Sequence, residues 1–384
     1  MKKLLFLLIT FAAIFTLPWI GSIVRWDGYP PGYGEFPALM AVPDPGFNLP
    51  FFIFGCTVAL GIVLFLAFPG WFGFKPAKPI PPRPSASYPS WFWWSLPVLG
   101  LSWLFMWGRF KGFEFIEHYT FVPLWWSFIL VLDGIVYKRN GGVSLLSSKP
   151  KTLQLLAVVS CFSWYAFEYL NFFVMENWYY PNNTILTNFG NIFWFSMSYT
   201  TVLPAIVEWY LLLKTFSAFR DRYSDGPKLG ATKPMLIAFY IVGLLLALGM
   251  GLFPFQLFWV LWVALVPLLS AAMMLLGYWT PFSSLKQGNW SPLILIAIAT
   301  LFNGFFWEFW NFGSKWFHGT EPTNPNFWKY SVPYLDKIHI FSEMPILGYF
   351  GYLFFGVNCW ILWLFAAKVF QFDDNFDVTD SSAK

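Results

Sequence analysis

The chain has 384 residues, 58% of them hydrophobic and only 11% charged, with a mean hydropathy of +0.57. Soluble globular proteins carry about 25% Asp, Glu, Lys and Arg, so 19 acids and 23 bases cannot cover this chain with water-compatible groups, and its apolar richness excludes disorder. The composition implies an all-α polytopic membrane protein whose partner is the lipid bilayer; a net charge of +4, thinly spread, excludes a basic stripe for nucleic acid.

A spanning helix needs roughly 20 mostly apolar residues. Ten segments qualify: 4–24, 51–69, 91–108, 119–137, 153–175, 191–213, 235–252, 256–276, 292–313 and 342–366. The first opens Met1-Lys2-Lys3 like a signal peptide, but its apolar run is long and lacks a small-x-small cleavage signal, which favours an uncleaved helix. Spans 1 and 2, joined by a Gly/Pro-rich outer loop over 27–50, make an N-terminal unit, 1–74. A Pro-rich stretch, 75–90, reads as a polyproline II strap on the cytoplasmic side. The end of the chain, 371–384, holds four aspartates and is expected to be disordered.

Loop charges orient these spans. With the N-terminus inside, 17 of the 23 Lys and Arg residues fall in inner loops, as the positive-inside rule requires. Both termini are then cytoplasmic, which suits a multi-pass protein of a bacterial inner membrane.

The chain also contains an internal echo. Span 5 ends Phe167-Glu168-Tyr169-Leu170-Asn171-Phe172, and span 9 ends Trp307-Glu308-Phe309-Trp310-Asn311-Phe312. Each is followed by an aromatic outer-loop signal, Asn177-Trp178-Tyr179-Tyr180 after the first and Lys315-Trp316-Phe317-His318 after the second. A Pro-containing span then returns, with Pro204 or Pro345. Glu168 and Glu308 lie 140 residues apart, and four spans per unit fit this offset, giving a parallel repeat of spans 3–6 (91–230) and 7–10 (231–370).

Ionisable groups inside spans are costly and mark functional sites by default. Glu168 and Asn171 share one helix face, as do Glu308 and Asn311. If the units face each other, these residues line one outward-facing cavity, with Glu343 at its mouth and Trp178, Trp316 and His318 around it. Glu168, Glu308 and Glu343 are the candidate acids; Asn171, Asn311, Trp178, Trp316 and His318 are candidate ligand contacts. The plainer alternative is a buried Glu acting as interhelical glue, worth about 0.6 kcal/mol per bond in membranes. Asp133 and Glu208 lie nearer the cytoplasmic face, where local ion pairs with Lys138, Arg139 and Lys214 are expected.

Aromatic residues are 23% of the chain. Some form interfacial belts; those at mid-span are lipid-facing bulk or the wall of a cavity for a polyene, an isoprenoid chain or a cationic intermediate. His118, His318 and His339 sit at or beyond the outer boundary, which disfavours haem ligation, and Cys56, Cys161 and Cys359 sit singly in apolar runs. No metal or other cofactor is assigned.

An aromatic outer-loop Trp-x-Tyr followed by a Pro-containing helix with Glu and Phe-Phe occurs as Trp178-Tyr179-Tyr180 with Pro204 to Glu208, and again around Glu343-Met344-Pro345 with Phe354-Phe355. This order resembles the duplicated modules of the membrane lycopene cyclase family. The likeness covers a small part of the chain and lacks the adjacent carboxylate pair that follows proline in that family. It implies duplicated membrane modules around a site for an isoprenoid-like chain. Three functions fit the residues: a membrane enzyme or binder acting by acid-base chemistry on a long apolar lipid, isoprenoid or pigment ligand; a non-catalytic subunit with partner membrane subunits; and a proton-coupled secondary transporter.

Overall fold

A computed structural model describes residues 2–76, 83–316 and 323–379. Among these residues the architecture rests on α1 (Lys2–Trp26), α2 (Leu49–Ala67), α3 (Ser90–Trp107), α4 (Phe121–Arg139), α5 (Pro150–Asn171), α6 (Asn188–Tyr199), α7 (Val202–Lys214), α8 (Lys233–Leu252), α9 (Val260–Val263), α10 (Leu265–Leu275), α11 (Ser291–Trp316) and α12 (Gly351–Phe370). One small sheet pairs β1 (Trp178–Tyr179) with β2 (Lys329–Tyr330). Among the described residues, seven helices are long and apolar enough to cross a membrane: α1, α2, α4, α5, α8, α11 and α12, the last extended by the turn before it. The protein is therefore mostly helical, with the make-up of a multi-pass integral membrane protein.

Helix starts follow local chemistry. Asn48 caps α2, Thr187 caps α6 and Thr232 caps α8, each accepting a backbone N–H from the first turn. Proline occupies the first turn of α2, α5 and α8, where its missing N–H costs nothing.

Two expected spans are interrupted. Segment 191–213 breaks at Thr200–Thr201 into α6 and α7. Pro204 cannot donate to the carbonyl four residues back, and Ser160 of α5 bridges the break, donating 2.5 Å to the Tyr199 carbonyl and accepting 3.0 Å from the Leu203 N–H. Segment 256–276 divides into a turn, α9 and α10, where Asn358 of α12 donates to the Trp262 carbonyl. The last span also starts late, since Ser342 to Pro345 lies outside the helix.

Helix α12 forms the centre and is the most buried of these helices, followed by α4 and α11. The opposite extreme is α2, with Ala59 as its one buried residue. It is held at its ends. The Asn48 N–H donates 3.2 Å to the Tyr334 carbonyl, and the Tyr223 hydroxyl donates 2.8 Å to that of Leu66.

Several polar groups find partners other than those expected. Asp133 accepts from Trp91 Nε1, the Ser144 hydroxyl and the Leu146 N–H at 2.8–3.0 Å, while Arg139 donates to Thr215. Lys214 pairs with Asp377, not with Glu208, which is buried beside Asp133. In place of the expected disorder, residues 371–379 fold back on the bundle. Phe376 is buried against Tyr210 and Trp360, and Asp374 and Asp377 pair with Lys368 and Lys214. Apolar burial and ion pairing there outweigh the acidic composition. Residues 380–384, and 77–82 of the Pro-rich strap, lie outside the described residues.

Helix α1 runs along α8 at close range. A Cβ on Gly251 would lie 2.0 Å from the Pro18 carbonyl oxygen, and one on Gly21 2.3 Å from that of Leu248. Small residues at such crossings let membrane helices approach. Gly251→Leu is expected to destabilise by about 1–3 kcal/mol through overpacking, seen as a lower unfolding midpoint in detergent. An unchanged midpoint would contradict this crossing.

Candidate functional site

The site grows from the ends of α5 and α11. After α5 the chain makes a 3-10 turn, Phe172–Val174, and Met175 and Glu176 adopt left-handed φ values of 62° and 52°. Two such residues in succession reverse the chain into β1. Strands β1 and β2 pair antiparallel, Trp178 opposite Tyr330 and Tyr179 opposite Lys329. On the far side of β1, the Tyr180 N–H donates 2.8 Å to the Ala38 carbonyl.

The two asparagines hold these strands to their helices. Asn171 Nδ2 donates 2.8 Å to the Trp178 carbonyl. Asn311 makes the corresponding bond to the Trp328 carbonyl at 2.8 Å and also accepts from the Trp328 N–H at 3.0 Å. Each amide acts as a piece of backbone.

The carboxylates gather aromatic donors. Glu168 Oε1 accepts from Trp164 Nε1 (2.9 Å), Trp178 Nε1 (3.1 Å), the Tyr180 hydroxyl (2.7 Å) and the Tyr199 hydroxyl (2.9 Å). Glu308 Oε1 accepts from the hydroxyls of Tyr330 (2.6 Å) and Tyr352 (2.7 Å), and Trp328 Nε1 donates 2.7 Å to Tyr330. Tyr180 matches Tyr330, Tyr199 matches Tyr352, and Trp178 matches Trp328. Burial raises the Tyr180 and Tyr330 phenols well above their ordinary range, which keeps both as donors.

Between the clusters lies a chamber of about 70 Å³, walled by Trp164, Trp178, Tyr180 and Tyr199 from one side and Trp328, Tyr330 and Tyr352 from the other. Trp262, Tyr330, Met344 and Tyr352 also line a second, larger space of about 400 Å³, an apolar groove between α2 and the start of α12. The expected common cavity is therefore approached by both clusters. Its described lining, however, is the tyrosines and tryptophans; Glu168, Asn171, Glu308 and Asn311 stand behind them. Aromatic groups are long enough to carry a hydroxyl from the helix to the cavity edge while shielding the acid.

Trp178 takes its place in the wall. Glu343 does not join it: its carboxylate pairs with Lys315 at the surface, and the neighbouring Met344 lines both spaces. His318 lies outside the described residues, and α11 includes Trp316. The structural counterpart of Trp178-Tyr179-Tyr180 is Trp328-Lys329-Tyr330, not 315–318. The signal was present as a second Trp-x-Tyr, but it begins twenty residues after Glu308 rather than the ten that separate Glu168 from Trp178. Tyr199, Tyr352, Trp164 and Trp262 carried no sequence signal of their own.

Compared with known protein families, curated proteins and solved structures, the chain matches none of them.

The Gly/Pro-rich segment 27–50 is clasped to this site through Glu176, which is 1% exposed and accepts the Ala41 N–H at 3.0 Å. Burial pushes its carboxyl up to about 7, with Glu35 adding to the rise and the Ala41 bond opposing it. A carboxyl whose folded value exceeds the unfolded value, about 4.3, contributes its full stabilisation below that value and loses it as pH rises through the folded one. Protection of amides 32–41 from hydrogen exchange, corrected for intrinsic rate, is therefore expected to fall between pH 5 and pH 8. Glu176→Gln should remove the pH dependence. Equal protection at both pH values would refute the assignment.

Proposed function

We propose that this chain binds a long apolar ligand in the aromatic chamber and its adjoining groove, and that Glu308 and Glu168 act on it by acid-base chemistry relayed through their tyrosines. The observation that carries this reading is the continuity of lining. Trp262, Tyr330, Met344 and Tyr352 belong to both spaces, so an apolar chain in the groove reaches the hydroxyls bonded to Glu308. The groove wall formed by Phe51, Phe54, Val58 and Ile62 of α2 suits a lipid or isoprenoid-like chain entering from the bilayer. Aromatic faces around the chamber suit a developing cation, and tyrosines bonded to a carboxyl suit proton transfer.

The wider setting belongs to the same proposal. The broken helices α6–α7 and α9–α10, together with α3, complete ten spans. Helices α3 to α7 and α8 to α12 form parallel four-span units, and both termini face the cytoplasm of a bacterial inner membrane. The matched Glu-Asn-Trp-x-Tyr clusters and their antiparallel strand pairing support a two-fold relation between the units. Thr184 and Asp225 are both exposed. A cysteine at Thr184 is expected to react with an impermeant thiol reagent from outside, and one at Asp225 only after lysis. The opposite pattern would overturn the orientation.

The ligand reading is tested by extracting the purified protein and identifying bound lipid by mass spectrometry. Val58→Trp, which fills the groove from the loosely packed α2, is expected to remove at least about 90% of the bound apolar ligand with little change in folding, since a filled cavity excludes its guest. Retention at the wild-type level would overturn the site. Glu168→Gln and Glu308→Gln keep the shape and should retain the ligand while abolishing its conversion. A second reading, a subunit that holds ligand without transforming it, is favoured by the saturation of Glu168 Oε1. It would prevail if the double Gln variant carried the same chemical species as wild type.

A further inference from the structure

Beside the chamber stands a charge that the chamber walls do not neutralise. Four donors converge on one oxygen of Glu168: the Trp164 and Trp178 indoles and the Tyr180 and Tyr199 hydroxyls, at 2.7–3.1 Å. A neutral carbonyl oxygen offers two lone pairs, so four N–H and O–H dipoles on a single atom suit the full charge of a carboxylate. All four donors are uncharged, and all four line the chamber. The carboxylate therefore lies directly behind the wall, and among the described residues every ion pair lies elsewhere.

The wall itself has the same electrostatic sense. Eleven of the sixteen described residues that line the chamber are aromatic and none is charged, and the groove lining holds no charged residue either. Aromatic rings attract a cation electrostatically, and in surroundings poor in water a buried charge acts across the thickness of a ring with little screening. No contact between guest and carboxylate is needed. An anion gains from neither effect, and a phosphate would find no Lys or Arg in either lining, which argues against a phospholipid headgroup. The chamber, about 70 Å³, suits a compact head, whereas the groove, about 400 Å³, takes a chain.

We infer that the ligand is a long-chain amine carried as its cation, with the ammonium head in the chamber and the chain lying out along the groove. This rests on the apolar-ligand reading above and adds the chemistry of the head. The aromatic wall is then a selectivity device, admitting a positive head and refusing a negative one.

The test uses the full-length protein in nanodiscs of an uncharged galactolipid, with radiolabelled hexadecyltrimethylammonium at tracer concentration. Its competitors are the hydrocarbon in which carbon replaces the nitrogen, identical in shape, and hexadecanesulfonate; each affinity is corrected for partition into protein-free nanodiscs. The cation is expected to bind about tenfold more tightly than its carbon isostere, the ratio a desolvated cation–ring contact provides, and the sulfonate more weakly than either. Replacing tryptophan throughout by a difluoro form keeps the ring shape and withdraws charge from it. That change should weaken cation binding at least about threefold and leave the isostere unchanged. If the cation binds no more tightly than the isostere, or the sulfonate displaces it equally well, the headgroup inference fails and the apolar-ligand reading stands. A cation preference untouched by fluorination also overturns the inference. If no compound shows displaceable binding, the apolar-ligand reading fails and the inference with it.

Discussion

Glu168 and Glu308 lie inside an apolar helix bundle, and the donors that meet these two carboxyl groups are phenols and indoles. That need for donors organises this end of the helix bundle. To reach Glu168, the chain after α5 must double back within a few residues, which explains the left-handed pair Met175 and Glu176. To bring in Tyr199, α6 must end where it does, and Ser160 repairs the backbone that this ending exposes. The asparagine one turn beyond each Glu then fixes the returning strand, so the Glu-x-x-Asn spacing joins a buried acid and its strand anchor on one helix face.

The two clusters are built alike but filled differently. Four residues before Glu168 stands Trp164, whose indole donates to the carboxylate; four before Glu308 stands Gly304. A Cβ at Gly304 would sit 2.4 Å from the ring of Tyr352. Glycine there lets Tyr352 press against α11 and still border the groove. The first acid is thus locked by four donors, whereas the second has two, both shared with the larger space. Both clusters border the chamber, but only the second also borders the larger groove.

The membrane class was legible from composition, and the main helices from apolar runs. Glu168, Asn171, Glu308 and Asn311 stood out because charge and amide are rare in such runs. Their partners did not, because a hydroxyl that matters looks like any other among 18 tyrosines. Spacing misled as well. A connection ten residues longer after Glu308 displaced the second Trp-x-Tyr and made Trp316 and His318 the nearer aromatic signal. Pro204 did announce a disturbance, but the interruption falls at Thr200–Thr201, because a proline withdraws its bond from the carbonyl four residues earlier. The acidic C-terminal segment shows the opposite failure. Its aspartates spoke for disorder, while Tyr210 and Lys214, which hold Phe376 and Asp377, lie far away in the sequence.

The attachment of α2 has a mechanical consequence. Nineteen residues make a rod of about 28 Å at 1.5 Å per residue, close to the roughly 30 Å hydrocarbon core of a bilayer. Tied at its ends and barely packed between them, this rod cannot set its own distance from α12 through side-chain interlocking. Acyl chains pressing from outside share that task, and a thicker or thinner bilayer changes the rod's tilt. The gap beside Trp262 and Tyr352 is accordingly an elastic property of the protein and its membrane together.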